Sequence, residues 1–276
     1  MPLAVPAFTR LQNLYERELT RLLRTFGGRR PLTPVILRRI AADPQFKKAA
    51  WDMAKKFAAA AGTANAASWR EAAFKSTRAG DIWKALKKEL RATGVGHRID
   101  QVVAANAHMI SSVPLKIAES ITAYAAKVEQ RGGRASEIEA EVRRMSPSLA
   151  KSRIQLIART EVGKAESAVT RARSEEIGAD WFQWSTAEDE RVRPSHKNLN
   201  LVLVRWADLP QPEMLIGERS TLGPGAPGEF PNCRCASLPL ISLDEVTWPA
   251  RVYSMGSIKR MTRAAFKKFA SWPQAA

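Results

Sequence analysis

The chain has 276 residues but only two cysteines and three histidines. The cysteines, Cys233 and Cys235, stand two apart. Disulfide geometry needs Cα atoms several ångström apart with converging Cβ vectors, so such close neighbours make a poor pair. No disulfide framework is expected, and a reducing compartment fits. Long apolar runs are missing as well. None approaches the roughly 18–20 residues that a membrane span needs. The start, Met1-Pro-Leu-Ala-Val-Pro, lacks the apolar stretch of a signal peptide. The expectation is a soluble protein made in the cytoplasm, without a membrane partner. No internal repeat is visible, which argues against a solenoid.

Acidic residues are also scarce. Lys and Arg number 44 against 27 Asp and Glu, a formal net charge of +17. The excess is uneven. Residues 1–100 carry a net +12, residues 101–250 a net −1, and residues 251–276 six basic residues and no acidic one. Basic ends attract polyanions at long range, so non-specific contact with nucleic acid is expected. A solubility surface, or a face for an acidic partner, is the plain alternative. No base-reading motif is present. With 45% hydrophobic residues the chain can bury a core.

Most of the chain reads as helix. Leu11, Leu14, Tyr15, Leu19, Leu22, Leu23 and Phe26 fall at helical spacing, and Gly27-Gly28 stop the pattern. Thr33-Pro34 and Asp43-Pro44 each set a capping residue before a helix-starting proline. Ser68 with Glu71, and Ser136 with Glu139, are capping-box candidates. Asp81 opens a pattern with Ile82, Leu86 and Leu90. A helical stretch from about 98 to 131 is expected to break at Pro114. Another is expected to end near Ser146-Pro147, where Ser148 starts a long helix to about Ile177, stopped by Gly178.

The texture then changes. Trp181-Phe182-Gln183-Trp184, Leu201–Trp206 and Cys235–Ile241 suit short strands. The stretch 207–232 is rich in Pro and Gly and reads as loop. A basic helix is expected near Met261–Phe269. The fold class is mainly α with a small α+β C-terminal domain: a helical N-terminal half, a long central helix and a short antiparallel sheet with extended loops. The expected domains are a basic helical region 1–97, a middle domain 98–242 and a basic extension 243–276.

Three groups of residues could carry chemistry. Asp189, Arg191, Arg193 and His196 follow the first strand candidate. They suit either an acid/base or metal site or an ion-pair network that pins a turn, with Asp189 held by an arginine in a bidentate bond. Cys233-x-Cys235 with His196 could hold Zn²⁺, with Asp189, Glu188 or water as fourth ligand. The alternative is two small buried thiols and a surface histidine. The exposed-face reading of Glu161 is an ion pair with Lys164. His97 and His108 lack partner patterns. In the basic tail, Lys259, Arg260, Arg263, Lys267 and Lys268 are candidate phosphate contacts.

The order and spacing of Ala158-Arg159-Thr160-Glu161, of Trp184-Ser185-Thr186-Ala187 with Asp189, Arg191, Arg193 and His196, and of Pro227-Gly228-Glu229 with Asn232-Cys233-Arg234-Cys235 resemble a known domain. It is the head-morphogenesis domain of tailed bacteriophages, the family of the phage Mu F protein and related minor head proteins. The resemblance covers roughly residues 105–240. It implies that Arg159 and Glu161 anchor the long helix to the Trp184–His196 segment. Family members usually carry a glycine shortly after the histidine. Here Lys197-Asn198-Leu199-Asn200 stands in that place, so Asn200 is expected to take the left-handed turn position.

The resemblance implies a structural minor head protein of the virion, not an enzyme. It would sit inside the head near the portal, with the portal protein, the major capsid or scaffold protein and packaged double-stranded DNA as partners. The competing reading is a metal-dependent nuclease or other DNA-processing enzyme using His196, Asp189 and the cysteines. Thiolate ligands favour structural zinc over a hydrolytic Mg²⁺ site. Some relatives carry a C-terminal toxin enzyme, for which residues 243–276 are too short a stretch.

Overall fold

The computed structural model describes residues 5–28, 31–75, 94–131 and 135–272. The helix expected after Asp81 lies outside them. Five helices fill the described part of residues 5–176: α1 (Val5–Gly27), α2 (Pro34–Ala42), α3 (Pro44–Lys75), α4 (Gly94–Gln130) and α5 (Ala135–Glu176). The capping signals at two starts act as read. The Thr33 side chain accepts from the Ile36 amide at 3.4 Å, and Asp43 Oδ1 accepts from the Gln45 amide at 2.8 Å. Each satisfies a donor that a helix start leaves unpaired.

Three expected boundaries are absent. Ser68 and Glu71 lie inside α3, Pro114 lies inside α4, and Pro147 lies inside the single 42-residue α5, which starts at Ala135 beside the expected Ser136 start. A proline inside a helix removes one backbone hydrogen bond and costs about 3 kcal/mol. Packing on both sides outweighs that cost here. Ile110, Val113, Ile117 and Ile121 are buried around Pro114, and Ala150, Ile154 and Ile157 follow Pro147. Each Leu- or Ile-sized burial contributes about 1.5–3 kcal/mol, so a few of them offset one proline.

The chain forms two compact units. One comprises Val5–Ala61 and Asp100–Val162. Its core holds Tyr15 edge-on to Phe57 at 4.8 Å and Phe26 edge-on to Phe46 at 5.3 Å. The other comprises Gly62–Ile99 and Gly163–Ala276. In it, Asn65 donates to Thr170 Oγ1 at 2.8 Å, Thr170 to Glu166 at 3.0 Å, and the buried Arg173 to Asn65. The apolar stripe of α5 gave no hint of this chain of buried polar groups. They need one another because an unpaired buried polar group costs about 1–3 kcal/mol.

Beyond Gly178, whose φ of +69° suits a helix-ending glycine, come β1 (Trp181–Ser185), α6 (Pro194–Asn198), β2 (Leu203–Arg205), β3 (Ala236–Pro239), β4 (Ala250–Ser254), β5 (Ser257–Met261) and α7 (Arg263–Phe269). Among the described residues the strands make one sheet ordered β3-β1-β2-β4-β5. Its pairs are antiparallel except β2 with β4, which run parallel through Leu203 and Val252. The sheet expected as antiparallel is therefore mixed. Alternation along each strand separates two cores. Phe182, Trp184, Val204 and Tyr253 pack on one face with Phe230, Cys233 and Cys235. Trp181, Leu203, Val252 and Phe266 pack on the other.

Much of the stretch expected as a basic extension belongs to this sheet. β4 and β5 join through Met255-Gly256, both at positive φ, the conformation that a two-residue hairpin favours. α7 begins at a Thr262 cap and buries Phe266 edge-on to Trp181 at 5.1 Å. The charge stays outside: Lys259, Arg260, Arg263, Lys267 and Lys268 are all exposed.

Candidate functional site

Between β1 and α6 the chain makes a tight turn. Glu188 takes a φ of +53°. Asp189 Oδ1 accepts from the Arg191 amide at 3.0 Å, a local bond typical of aspartate in turns. The turn delivers Pro194 at the start of α6, where its missing N–H costs nothing. His196 sits two residues on and is buried.

His196 lies edge-on to the Trp184 ring at 5.5 Å and to the Phe230 ring at 5.1 Å. Its Nδ1 lies 3.5 Å from Cys233 Sγ and 3.4 Å from Cys235 Sγ. Both cysteines are buried. The Cys233 sulfur also accepts from the Gly228 amide at 3.5 Å and from the Cys235 amide at 3.4 Å. Its thiol is lowered to about 4, first by the hydrogen bond from Cys235, and then by His196 and the Gly228 amide. Cys235 is pushed up, because it supplies that hydrogen bond and is buried beside a forming thiolate. The His196 Nε2 has no hydrogen-bond partner.

Among the described residues, His196, Cys233 and Cys235 are the group of potential metal ligands that converges, their donor atoms all within 4.8 Å of one another. Asp189 is not with them. Arg234 Nη1 and Nη2 donate to its two carboxylate oxygens, and Arg191 Nη2 lies 3.6 Å away. The bidentate Arg234 bond, foremost, holds the Asp189 carboxyl down at about 2. The expected fourth-ligand role thus gives way to the ion-pair network. Alternation explains the split. In the extended stretch before β3, Cys233 and Cys235 point inward, and Arg234 between them points out to Asp189.

The remaining motif residues brace the same loops. Arg193 donates to the Pro231 carbonyl at 2.6 Å. Asn200 accepts from the Thr186 amide at 3.0 Å and donates to Glu188 at 3.0 Å. The left-handed position falls on Leu201, with φ +61°, not on Asn200. Asn200 is more useful with its side chain tying two turns together.

Glu161 lies on the inner face of α5. It is buried and not on an exposed face, and it accepts from Asn106 of α4 at 3.1 Å. Arg159 is half-buried on the same helix. Where α5 meets the cysteine loop, the contact is Gly163 against Gly228. A Cβ on Gly163 would lie 2.8 Å from the Gly228 carbonyl oxygen. Sequence patterns alone assign no role to either glycine, to Phe230 or to Arg234. A signal for Gly163 existed: a glycine in a helix interior costs about 1 kcal/mol and implies a packing reason.

In the basic hairpin and helix, Arg263 is ion-paired to Asp244 at 2.6 Å. Lys259 and Arg260 line a groove of about 430 Å³ together with Arg251 and Asn198. They lie on β5, apart from the thiol cluster in sequence and in sheet position.

Comparison with known proteins agrees with the middle of this layout. A 26% identical relative, over 151 residues, is an uncharacterised protein of Haemophilus influenzae strain Rd; the match takes in 55% of this chain and 31% of the relative. The chain therefore spans about a third of that relative's length. No solved structure matches. The family model described as Phage Mu protein F like protein matches residues 119–238, from within α4 to β3. That span takes in α5, β1, the Asp189 turn, His196 and both cysteines, so residues 119–238 are similar to the Phage Mu protein F like family, as the motifs implied.

Proposed function

We propose that the protein is a structural component of a tailed-phage head, acting in head morphogenesis next to the portal and the packaged genome. The similarity to the Phage Mu protein F like family carries this reading. Its partners would be the portal protein, the major capsid or scaffold protein and, non-specifically, double-stranded DNA. The basic ends support the last of these. Lys259 and Arg260 on β5, with Lys267 and Lys268 on α7, are exposed and suit phosphate contact without base readout.

The nuclease reading finds less support. Asp189, its general-base candidate, has both oxygens engaged by Arg234. The convergent ligands are one imidazole and two thiolates, whereas Mg²⁺ sites are built from oxygen.

Mass spectrometry of purified particles, before and after genome release, tests the proposal. Peptides of this chain at a few copies per particle are expected. Their absence from both proheads and virions would overturn it. The DNA role has its own test. Charge reversal of Lys259, Arg260, Lys267 and Lys268 should weaken duplex binding and flatten its salt dependence. For every phosphate no longer neutralised, the slope of log K against log salt becomes shallower by about 0.9. An unchanged slope would remove the hairpin and α7 from the DNA interface.

A further inference from the structure

We infer that His196, Cys233 and Cys235 form a tetrahedral zinc site that staples α6 to the approach of β3. This goes beyond the head-protein reading and does not depend on it.

The distances carry the inference. Zinc binds imidazole nitrogen at about 2.0–2.1 Å and thiolate sulfur at about 2.3 Å, and tetrahedral angles then place ligand nitrogen and sulfur about 3.5 Å apart. His196 Nδ1 lies 3.5 Å from one sulfur and 3.4 Å from the other. Hydrogen bonding accounts poorly for this arrangement. A ring nitrogen carries one proton or one lone pair, so it serves one sulfur well, not two equally. A cation between the three atoms uses all of them.

The surroundings are those of a held thiolate. Two backbone amides, from Gly228 and Cys235, donate to Cys233 Sγ, and such bonds orient and stabilise metal-bound sulfur. Trp184 and Phe230 pack against the imidazole from two sides and fix its direction. The ligands come from either side of the Pro- and Gly-rich stretch 207–232, which has little regular structure beyond a single turn of 3-10 helix at Met214–Ile216. A metal cross-link closing that loop supplies order its own packing provides thinly. Asp189 is committed to Arg234, and no fourth His, Cys, Asp or Glu converges among the described residues. The fourth position goes to water, as in other sites with three protein ligands.

The test uses the full chain, purified without chelator. Plasma mass spectrometry should find about one zinc per chain. The cobalt-substituted protein should show the visible bands of tetrahedral Co²⁺ with a sulfur-to-metal band in the near ultraviolet. Cys233→Ser and Cys235→Ser should lose at least tenfold in metal affinity. Because these variants could unfold, His196→Cys serves as the second arm: it exchanges one good ligand for another and should keep the metal with a stronger sulfur band. Asp189→Asn should keep the metal unchanged. Wild-type protein, refolded with zinc, that holds no stoichiometric metal and gives no tetrahedral cobalt spectrum would overturn the inference. So would full zinc content in a folded Cys233→Ser variant.

Discussion

Gly163 of α5 and Gly228 of the cysteine loop meet backbone to backbone, and a Cβ on Gly228 would lie 2.6 Å from the Gly163 carbonyl oxygen. Neither neighbour is the end of a flexible side chain that could swing away. Gly163→Ala gains about 1 kcal/mol of helix propensity, but forces a backbone shift of the kind that costs about 1–3 kcal/mol. A net loss of stability is expected. Gly228→Ala should lose more, because Gly228 also has φ +87°. Thermal unfolding of the two variants checks the order, and a Gly163→Ala protein more stable than wild type would contradict the close approach.

Asp189 and Arg234 set an acid limit. The Asp189 pKa is lowered to about 2 by Arg234, against an ordinary value near 3.9 in an unfolded chain. A lowered carboxylate contributes stability that is full above the unfolded pKa and is lost as pH falls through the folded one. Wild type should therefore exceed Asp189→Asn in melting temperature at pH 7. The gap should shrink between about pH 4 and pH 2 and be gone below. A gap that stays constant across that window would exclude the ion pair as its source.

Phe266 tests whether residues after 262 belong to the core. It is fully buried and touches the rings of Trp181, Trp248 and Trp272. Phe266→Ala should cost about 3–5 kcal/mol, the range for a large aromatic removed from a core. Denaturant unfolding gives the figure. A loss below about 1 kcal/mol would mean α7 is a loosely attached arm.

Pro147 is exposed within α5, so replacing it opens no cavity. Pro147→Ala restores the backbone bond to Arg143 and relieves a clash, worth up to about 3 kcal/mol. It gives back about 0.4–1 kcal/mol through a more flexible unfolded chain. A rise in the unfolding midpoint is expected. The buried Pro114 lacks this simplicity, because its ring also fills core space.

What was legible in the sequence followed local rules. The 3.6-residue spacing from Leu11 to Phe26 gave α1, Thr33-Pro34 gave the α2 start, and the aromatic run from Trp181 gave β1. The His196, Cys233 and Cys235 cluster was visible because soft ligands are rare in this chain. The misses were decided by distant partners. Ser68, Pro114 and Pro147 look like helix ends until burial on either side holds the helices through them. For Asp189 the sequence left ligand and ion-pair network both open, because its partner, Arg234, lies 45 positions away. The β4–β5 hairpin was hidden by its own composition: Arg251, Lys259 and Arg260 interrupt the apolar residues Val252, Tyr253, Ile258 and Met261, which show no regular period-two alternation.

The tripeptide Cys233-Arg234-Cys235 has two opposite addresses in three residues, the sulfurs facing the aromatic interior and the guanidinium facing the Asp189 turn. Its length is thus more tightly fixed than its chemistry. Inserting or deleting a single residue between Phe230 and Ala236 would turn Arg234 toward Trp184 and His196 and expel the thiols, undoing ion pair and cluster in one step. Exchanging a side chain there would disturb only one of the two. Counting residues across this short stretch is therefore a sharper diagnostic of an intact domain than matching them.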